Sequence, residues 1–383
     1  MTQTFRRDRL TWLAYAMLAW FAYLQASPGL VVPYLRDELG LGYTASGLHV
    51  AAYAGGSMVA GVVSARLERS VGRRTLFWAA AVVMGVGVVG LTAGGSAPVT
   101  IGSVLVMGVG GGLLLGTIQA ALADRHGEQR ATALGEANLA ASLAYVALIG
   151  ALSLTAAAGL GWRVALLATL PILVVAWFAH RRVAIDAPPS SAVVTGRLPP
   201  VFRVAAAMLF CMVAAEWCLA SWGASFVEEA ADLSTDAAVG LMGGYFGGVV
   251  VGRVLGSRLA RRHDPARLLV LALAVTAAGF AILWPSGGPV QALTGLVLLG
   301  VGLGNLFPLG ISVTVALAPD RAALASGRAV AVTSSAILLA PFTVGALADA
   351  TSLRAALGAV PVMLVLAAAA LALVVRHTPA RVG

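Results

Sequence analysis

The sequence predicts an all-α membrane protein of 12 transmembrane helices in two parallel six-helix repeats, and three observations carry that prediction. Of 383 residues, 60% are hydrophobic and 11% are charged, whereas a soluble domain is nearer a quarter charged. Twelve stretches of about 20 mostly apolar residues, the length that crosses a bilayer core, can be marked along the chain. The pattern from Tyr53 to Arg69 returns from Tyr245 to Arg261 without a gap, at an offset of 192 (245 − 53). One unit has been written twice.

The offset extends beyond that stretch. It pairs Gly55 and Gly56 with Gly247 and Gly248, Arg66 with Arg258, and Leu67 with Leu259. Further on it superimposes Gly108, Gly110 and Gly112 on Gly300, Gly302 and Gly304, and Gly135 on Gly327. The GGSMVAG and GGVVVG runs put small residues at close-packing intervals, so helices can approach backbone to backbone and slide.

Taken in order, the apolar stretches fall at about 10–33, 45–66, 75–95, 98–122, 131–157 and 162–180 in the first half. In the second half they fall at about 201–227, 236–259, 266–285, 289–317, 322–348 and 352–375. The basic N-terminus runs into a full-length span and reads as an uncleaved first helix. With that terminus in the cytoplasm, twenty arginines fall on the cytoplasmic side. The opposite side receives only Arg36, Arg163 and Arg354, and Arg253 and Arg328 lie inside spans. This positive-inside bias places both termini in the cytoplasm and the protein in the cytoplasmic (inner) membrane. The net charge of +9 is then accounted for by the anionic inner leaflet and calls for no nucleic acid. All 25 basic residues are Arg, by compositional drift or by selection for forked contacts.

The domain reading follows. Residues 1–180 form an N-terminal bundle, 181–200 a polar, Pro-rich cytoplasmic linker, and 201–383 a C-terminal bundle. Cys211 and Cys218 read as small apolar packing residues. No metal-spaced His/Cys set, nucleophile triad or phosphate-cradling loop is present, so no enzyme, metal or cofactor is expected.

Twelve spans, two repeats, a middle linker and an Arg-rich loop after the second span of each half resemble the major facilitator superfamily of secondary transporters, over essentially the whole chain. That family's signature is a Gly-x-Leu-Ala-Asp-Arg-x-Gly-Arg-Arg turn. Here the turn reads Ser64-Ala-Arg-Leu67-Glu68-Arg69-Ser-Val-Gly72-Arg73-Arg74, and its repeat reads Gly256-Ser-Arg-Leu259-Ala260-Arg261-Arg262. The resemblance implies that Glu68 stands in for the family's Asp, with one extra residue before Gly72. A carboxylate among arginines at a helix end can pair in one conformer and part in another, which assigns Glu68, Arg69 and Arg261 to gating. The alternative is a solvated basic loop serving topology alone. Two marks of the family's drug exporters are missing: Val104 stands where they carry Arg, and no proline precedes Gly161-Trp162-Arg163.

Ionisable groups at membrane depth are costly, and each is a functional hypothesis. Glu216, about fifteen residues into its helix, is the deepest. With Trp217, Trp222 and the offset mate of Trp217, Gln25, it outlines a midplane site at the repeat interface for a proton or a cationic substrate. A protonated structural Glu is the competing reading. Asn138 and Asn305 are expected in the cavity lining or as packing glue. Glu136 and Arg328 are offset mates of opposite charge (328 − 136 = 192). They are expected to bridge a cytoplasmic gate, while Arg328 alone could instead capture an anionic substrate. His49 reads as a helix-end histidine or a pH-sensitive group. The sequence therefore describes a monomeric secondary transporter moving a small-molecule substrate, with protons as coupling partner in symport or antiport. A drug/proton antiporter and a non-transporting membrane receptor or scaffold are the alternatives.

Overall fold

The computed structural model describes residues 5–185 and 196–377, so the central part of the expected linker, 186–195, lies outside the described residues. Every regular element among the described residues is helical. The first half holds α1 (Arg9–Leu39), α2 (Tyr43–Val71), α3 (Arg73–Ala93), α4 (Ala97–His126), α5 (Arg130–Ala157), α6 (Trp162–Leu167) and α7 (Leu170–His180). The second half holds α8 (Val201–Ala231), α9 (Thr235–Leu259), α10 (Pro265–Leu283), α11 (Pro289–Ala316), α12 (Ala322–Ala350), α13 (Leu353–Leu357) and α14 (Ala359–His377). Helices α1 to α5 start at residues 9, 43, 73, 97 and 130, and α8 to α12 at 201, 235, 265, 289 and 322. Each pair of starts differs by 192, the sequence offset.

Eleven runs are long and apolar enough to cross a membrane. Ten are single spans. The eleventh, Ala97–Ala157, has 61 residues, which as one rod would measure about 90 Å, three bilayer cores. It is two spans, α4 and α5, divided by the turn at Gly127–Gln129. Conversely, α6 with α7 and α13 with α14 are each one span interrupted by a turn. In a bilayer only structures that satisfy their backbone internally can span, and helices do so.

Polar side chains close the starts of some of these helices. Asp8 accepts the amide of Thr11 at 2.9 Å and closes the start of α1. Asp264 accepts the amides of Ala266 and Arg267 at the start of α10. Such caps satisfy amides that have no partner inside the helix.

Two compact units divide the chain, one of Met1–Leu41 with Leu48–Ser191 and one of Gly42–Gly47 with Ala192–Gly383. In the first, α4 is gripped on two faces. A Cβ at Gly108 would stand 2.2 Å from the Tyr53 carbonyl oxygen of α2, and one at Gly110 would stand 2.3 Å from the Met84 nitrogen of α3. In the second, a Cβ at Gly300 would stand 2.0 Å from the Tyr245 carbonyl oxygen of α9, and one at Gly302 2.6 Å from the Thr276 nitrogen of α10. The alternating glycines of α4 and α11 thus dock two neighbours each, by backbone contact on opposite faces. Gly56 of the GGSMVAG run and Gly248 and Gly252 of the GGVVVG run make the matching contacts from the α2 and α9 sides, so close backbone approach is what the structure shows there.

Gly300→Ala should therefore lower the unfolding temperature in detergent, at a cost of about 1–3 kcal/mol for overpacking. Gly247→Ala, in open space, should be neutral or slightly stabilising. Equal effects would show that the contact at Gly300 is not tight.

Candidate functional site

The arginine-rich end of the first unit is tied by a chain of polar contacts. Arg7, ahead of α1, grips Glu136 of α5 with both prongs of its guanidinium: Nη2 to Oε1 at 2.6 Å and Nε to Oε2 at 2.8 Å. Tyr15 on α1 donates to Glu136 Oε2 at 3.0 Å. Asp8 accepts the Thr11 amide and hydroxyl and the Nε of Arg125 at 2.6 Å. The Thr11 hydroxyl lies 2.8 Å from His126 Nε2. With its proton committed to Asp8, that hydroxyl receives one from the ring.

These contacts change the expected gate. Glu136 and Arg328 occupy equivalent positions in their helices, each six residues past the start, at 130 and 322. Their bonds differ: Glu136 is held by Arg7 and Tyr15, whereas Arg328 Nη2 donates to the Gly196 carbonyl at 3.2 Å in the second unit. Each charge takes its bond within its own unit. Spacing gave the position along each helix, and the partner Arg7 lies outside the helical repeat.

At the signature turn, Gly72 adopts φ +79° between α2 and α3, a left-handed conformation natural to glycine. The turn aims Arg73 back into the fold. Its Nε donates to Glu68 at 2.7 Å and its Nη1 to Asp124 of α4 at 2.6 Å, with the Arg73 side chain only 7% exposed. One guanidinium therefore ties the ends of α2, α3 and α4. Arg69, expected in this role, turns its Nε onto its own helix at the Ala65 carbonyl. Arg261 is exposed. Sequence reasoning missed Asp124, whose signal was an acid beside an arginine at a helix end.

At mid-depth, Glu216 stands at the centre of the 31-residue α8. Among the described residues no hydrogen bond or ion pair reaches its carboxylate, and the charge acting on it is that of Arg253 on α9. Tyr245 of α9 points its hydroxyl at the Glu216 carbonyl oxygen, 3.4 Å away. In the first unit, Gln25 Oε1 accepts the Tyr145 hydroxyl at 3.2 Å. Nearby, Gly111 leaves room for the Tyr53 hydroxyl, since a Cβ there would stand 2.4 Å from it. Tyr145 was missed because its period on α5 resembles that of any packing aromatic.

Other expected site residues hold helices together. Trp222 is 1% exposed, donates to the Pro341 carbonyl at 3.0 Å and meets Tyr43 edge-on. Asn305 donates to the Gly252 and Val301 carbonyls, gluing α11 to α9. Asn138 is exposed and bonds Leu134 one turn back on its own helix. Trp217 is half-buried. His49 is fully buried and lies 2.9 Å from the Thr100 hydroxyl, so the helix-end reading gives way to a link between α2 and α4. At the opposite end of the first unit, Glu38 accepts both Arg163 prongs and the Trp162 indole, while Arg163 Nε caps the Thr92 carbonyl. In the second unit Asp349 accepts the amides of Tyr43 and Thr44, both at 2.8 Å.

Burial would raise the Asp8 carboxyl, but the bonds from Thr11 and Arg125 outweigh it and hold its pKa below the ordinary value. A depressed carboxylate stabilises the fold above its unfolded pKa of ~3.9 and loses that contribution as the pH falls through its folded value. Asp8→Asn, which keeps a capping oxygen but loses the charge that Arg125 pairs with, should thus cost up to about 1 kcal/mol at neutral pH. The gap from wild type, read from unfolding temperatures in detergent, should close as the pH drops below about 4. A gap constant with pH would contradict this.

The chain matches the Major Facilitator Superfamily over residues 11–289 and 205–383. No curated protein matches it in sequence. Its fold is similar to that of a bacterial homolog of the human lysosomal transporter Spinster in an inward-facing and occupied conformation, at 15% identity over 98% of both chains with a TM-score of 0.78. It is also similar to the nucleoside transporter NupG (D323A mutant), at 9% identity over 96% of this chain and 99% of that one, TM-score 0.78. The xylose transporter XylE from E. coli follows at 13% identity over 98% of both chains, TM-score 0.76. These solved structures share the fold. With two overlapping matches spanning nearly the whole sequence, this multi-pass membrane chain belongs to the Major Facilitator Superfamily.

Proposed function

We propose that the protein is a proton-coupled secondary transporter that moves a small organic solute across the cytoplasmic membrane by alternating access. Its arginine-rich helix ends and both termini face the cytoplasm. The observation that carries the proton is Glu216, a carboxylate at the centre of a membrane-length helix with no hydrogen bond among the described residues and one arginine, Arg253, acting on it. An intramembrane acid of this kind is costly to keep ionised and is a functional site by default. Proton loss leaves an anion that Arg253 attracts, and proton gain releases it. Gln25 with Tyr145, an amide and a hydroxyl already in contact, are the groups of the first unit suited to a polar solute.

Gating falls to the clasps at the arginine-rich ends. Arg7 on Glu136 and Arg73 on Glu68 and Asp124 are ion pairs with charge-assisted bonds. A transport cycle needs such clasps to open and re-form. The Arg7 pair is open to water, which can compete for it, whereas the Arg73 guanidinium is buried and needs both of its carboxylates, so parting it is the more demanding step.

The test is reconstitution in liposomes loaded with a pH dye, using solutes first selected from carboxylates, sugars and lipophilic cations by thermal shift. Solute and proton should move together under an imposed pH gradient. Glu216→Gln should abolish the response to the gradient while solute-induced thermal stabilisation survives. Transport indifferent to the gradient, or to Glu216→Gln, would overturn the coupling.

A further inference from the structure

A cavity of about 1370 Å³ opens at the arginine-rich end of the first unit, walled by the start of α1, the end of α4 and the residues that follow α7. Four arginines line it: Arg9, Arg125, Arg181 and Arg182. Two acids line it as well, Asp8 and Asp124, but both are already taken, Asp8 by Arg125 and Asp124 by Arg73. Arg9, Arg181 and Arg182 are exposed and have no acidic partner among the described residues. Arg181 lies over the Phe178 ring, 5.6 Å from its centroid. The cavity thus gathers positive charge that the fold itself does not neutralise.

Its wall continues into an apolar face. Phe178 lines the cavity and is 66% exposed, and on the same helix Val175, Val174 and Ile172 are at least half exposed. Since α7 closes a membrane span, that face lies against acyl chains, and the cavity lies at headgroup level. A free inorganic anion would use the arginines and have no use for α7. A phospholipid uses both.

We propose that this cavity is a binding site for the phosphate headgroup of an anionic phospholipid, held by Arg9, Arg181 and Arg182, with an acyl chain laid along the exposed face of α7. Guanidinium forks match phosphate oxygens two at a time. Each basic group at a membrane surface strengthens anionic-lipid binding by roughly fivefold. The site is independent of substrate and proton coupling.

Native mass spectrometry of the detergent-purified chain tests it, with phosphatidylglycerol and phosphatidylcholine of matched acyl chains as probes. The wild type should retain phosphatidylglycerol over phosphatidylcholine. R9Q/R181Q/R182Q should weaken phosphatidylglycerol by on the order of a hundredfold. R9K/R181K/R182K, which keeps charge but loses the forks, should fall between. Millimolar inorganic phosphate should not displace the lipid. Unfolding temperatures equal to wild type in lipid-free detergent show that the variants fold. Equal retention of both lipids, a triple Gln variant that binds as wild type, or displacement by inorganic phosphate would each overturn the proposal.

Discussion

Where α4 meets α2 and α3, and where α11 meets α9 and α10, main chain lies on main chain, and a single methyl group would stand 2.0–2.6 Å from a backbone atom across the contact. In a lipid solvent there is little hydrophobic reward for bringing helices together, so association rests on dispersion and on how closely backbones approach. Alternating glycines meet that demand twice on each helix. Residues 108 and 112 face one neighbour and 110 the other, and 300, 304 and 302 repeat the arrangement. The remaining helices can then carry bulkier and more polar side chains, because α4 and α11 already fix the distances.

On this apolar frame the charges do local work. Arg7, Arg73, Arg125 and Arg163 each find a carboxylate in another segment at a helix end, and all but Arg73, whose side chain is buried, are open to water. The exception is Glu216, set at mid-helix away from such partners. End-clasps that water can compete for are exchangeable, while a lone acid in the interior must deal with its charge by proton exchange or through Arg253. On the proposed function, this contrast would separate the parts that open and close from the part that responds to a proton.

Periodicity and the internal offset made the helices legible, to within two residues of the start of each of α1 to α5 and α8 to α12. Position along the helix was legible too: Glu136 and Arg328 each stand six residues past the start of their helices. Direction was not. A spacing rule cannot tell that Glu136 turns toward Arg7, a residue before the helix, or that Arg328 turns to the Gly196 carbonyl. Trp222 and Asn305 sit at site-like positions, yet their donors are taken by neighbouring carbonyls. Sequence counts donors but not their recipients. Arg73 shares the signature turn with Arg69, and spacing does not show which of them points inward, because the reversal at Gly72 that aims Arg73 at its acids is a backbone event one residue earlier.

Because five successive helices in each unit begin at the same offset, the chain carries an alignment to itself, and every residue can be read against its own counterpart. The tyrosines and glycines that set helix spacing are identical across that mirror: Tyr53 with Tyr245, Gly108 with Gly300, Gly110 with Gly302. Arg66 and Arg69 also match Arg258 and Arg261, but the charged groups of the clasps and at mid-helix do not. Glu216 faces Leu24, Arg253 faces Gly61, Asp124 faces Ala316, Arg73 faces Pro265, and Glu136 faces Arg328. Symmetry is spent on the scaffold and broken at the chemistry. A duplicated protein of this kind therefore records its own specialisation in the positions where its two copies have stopped agreeing.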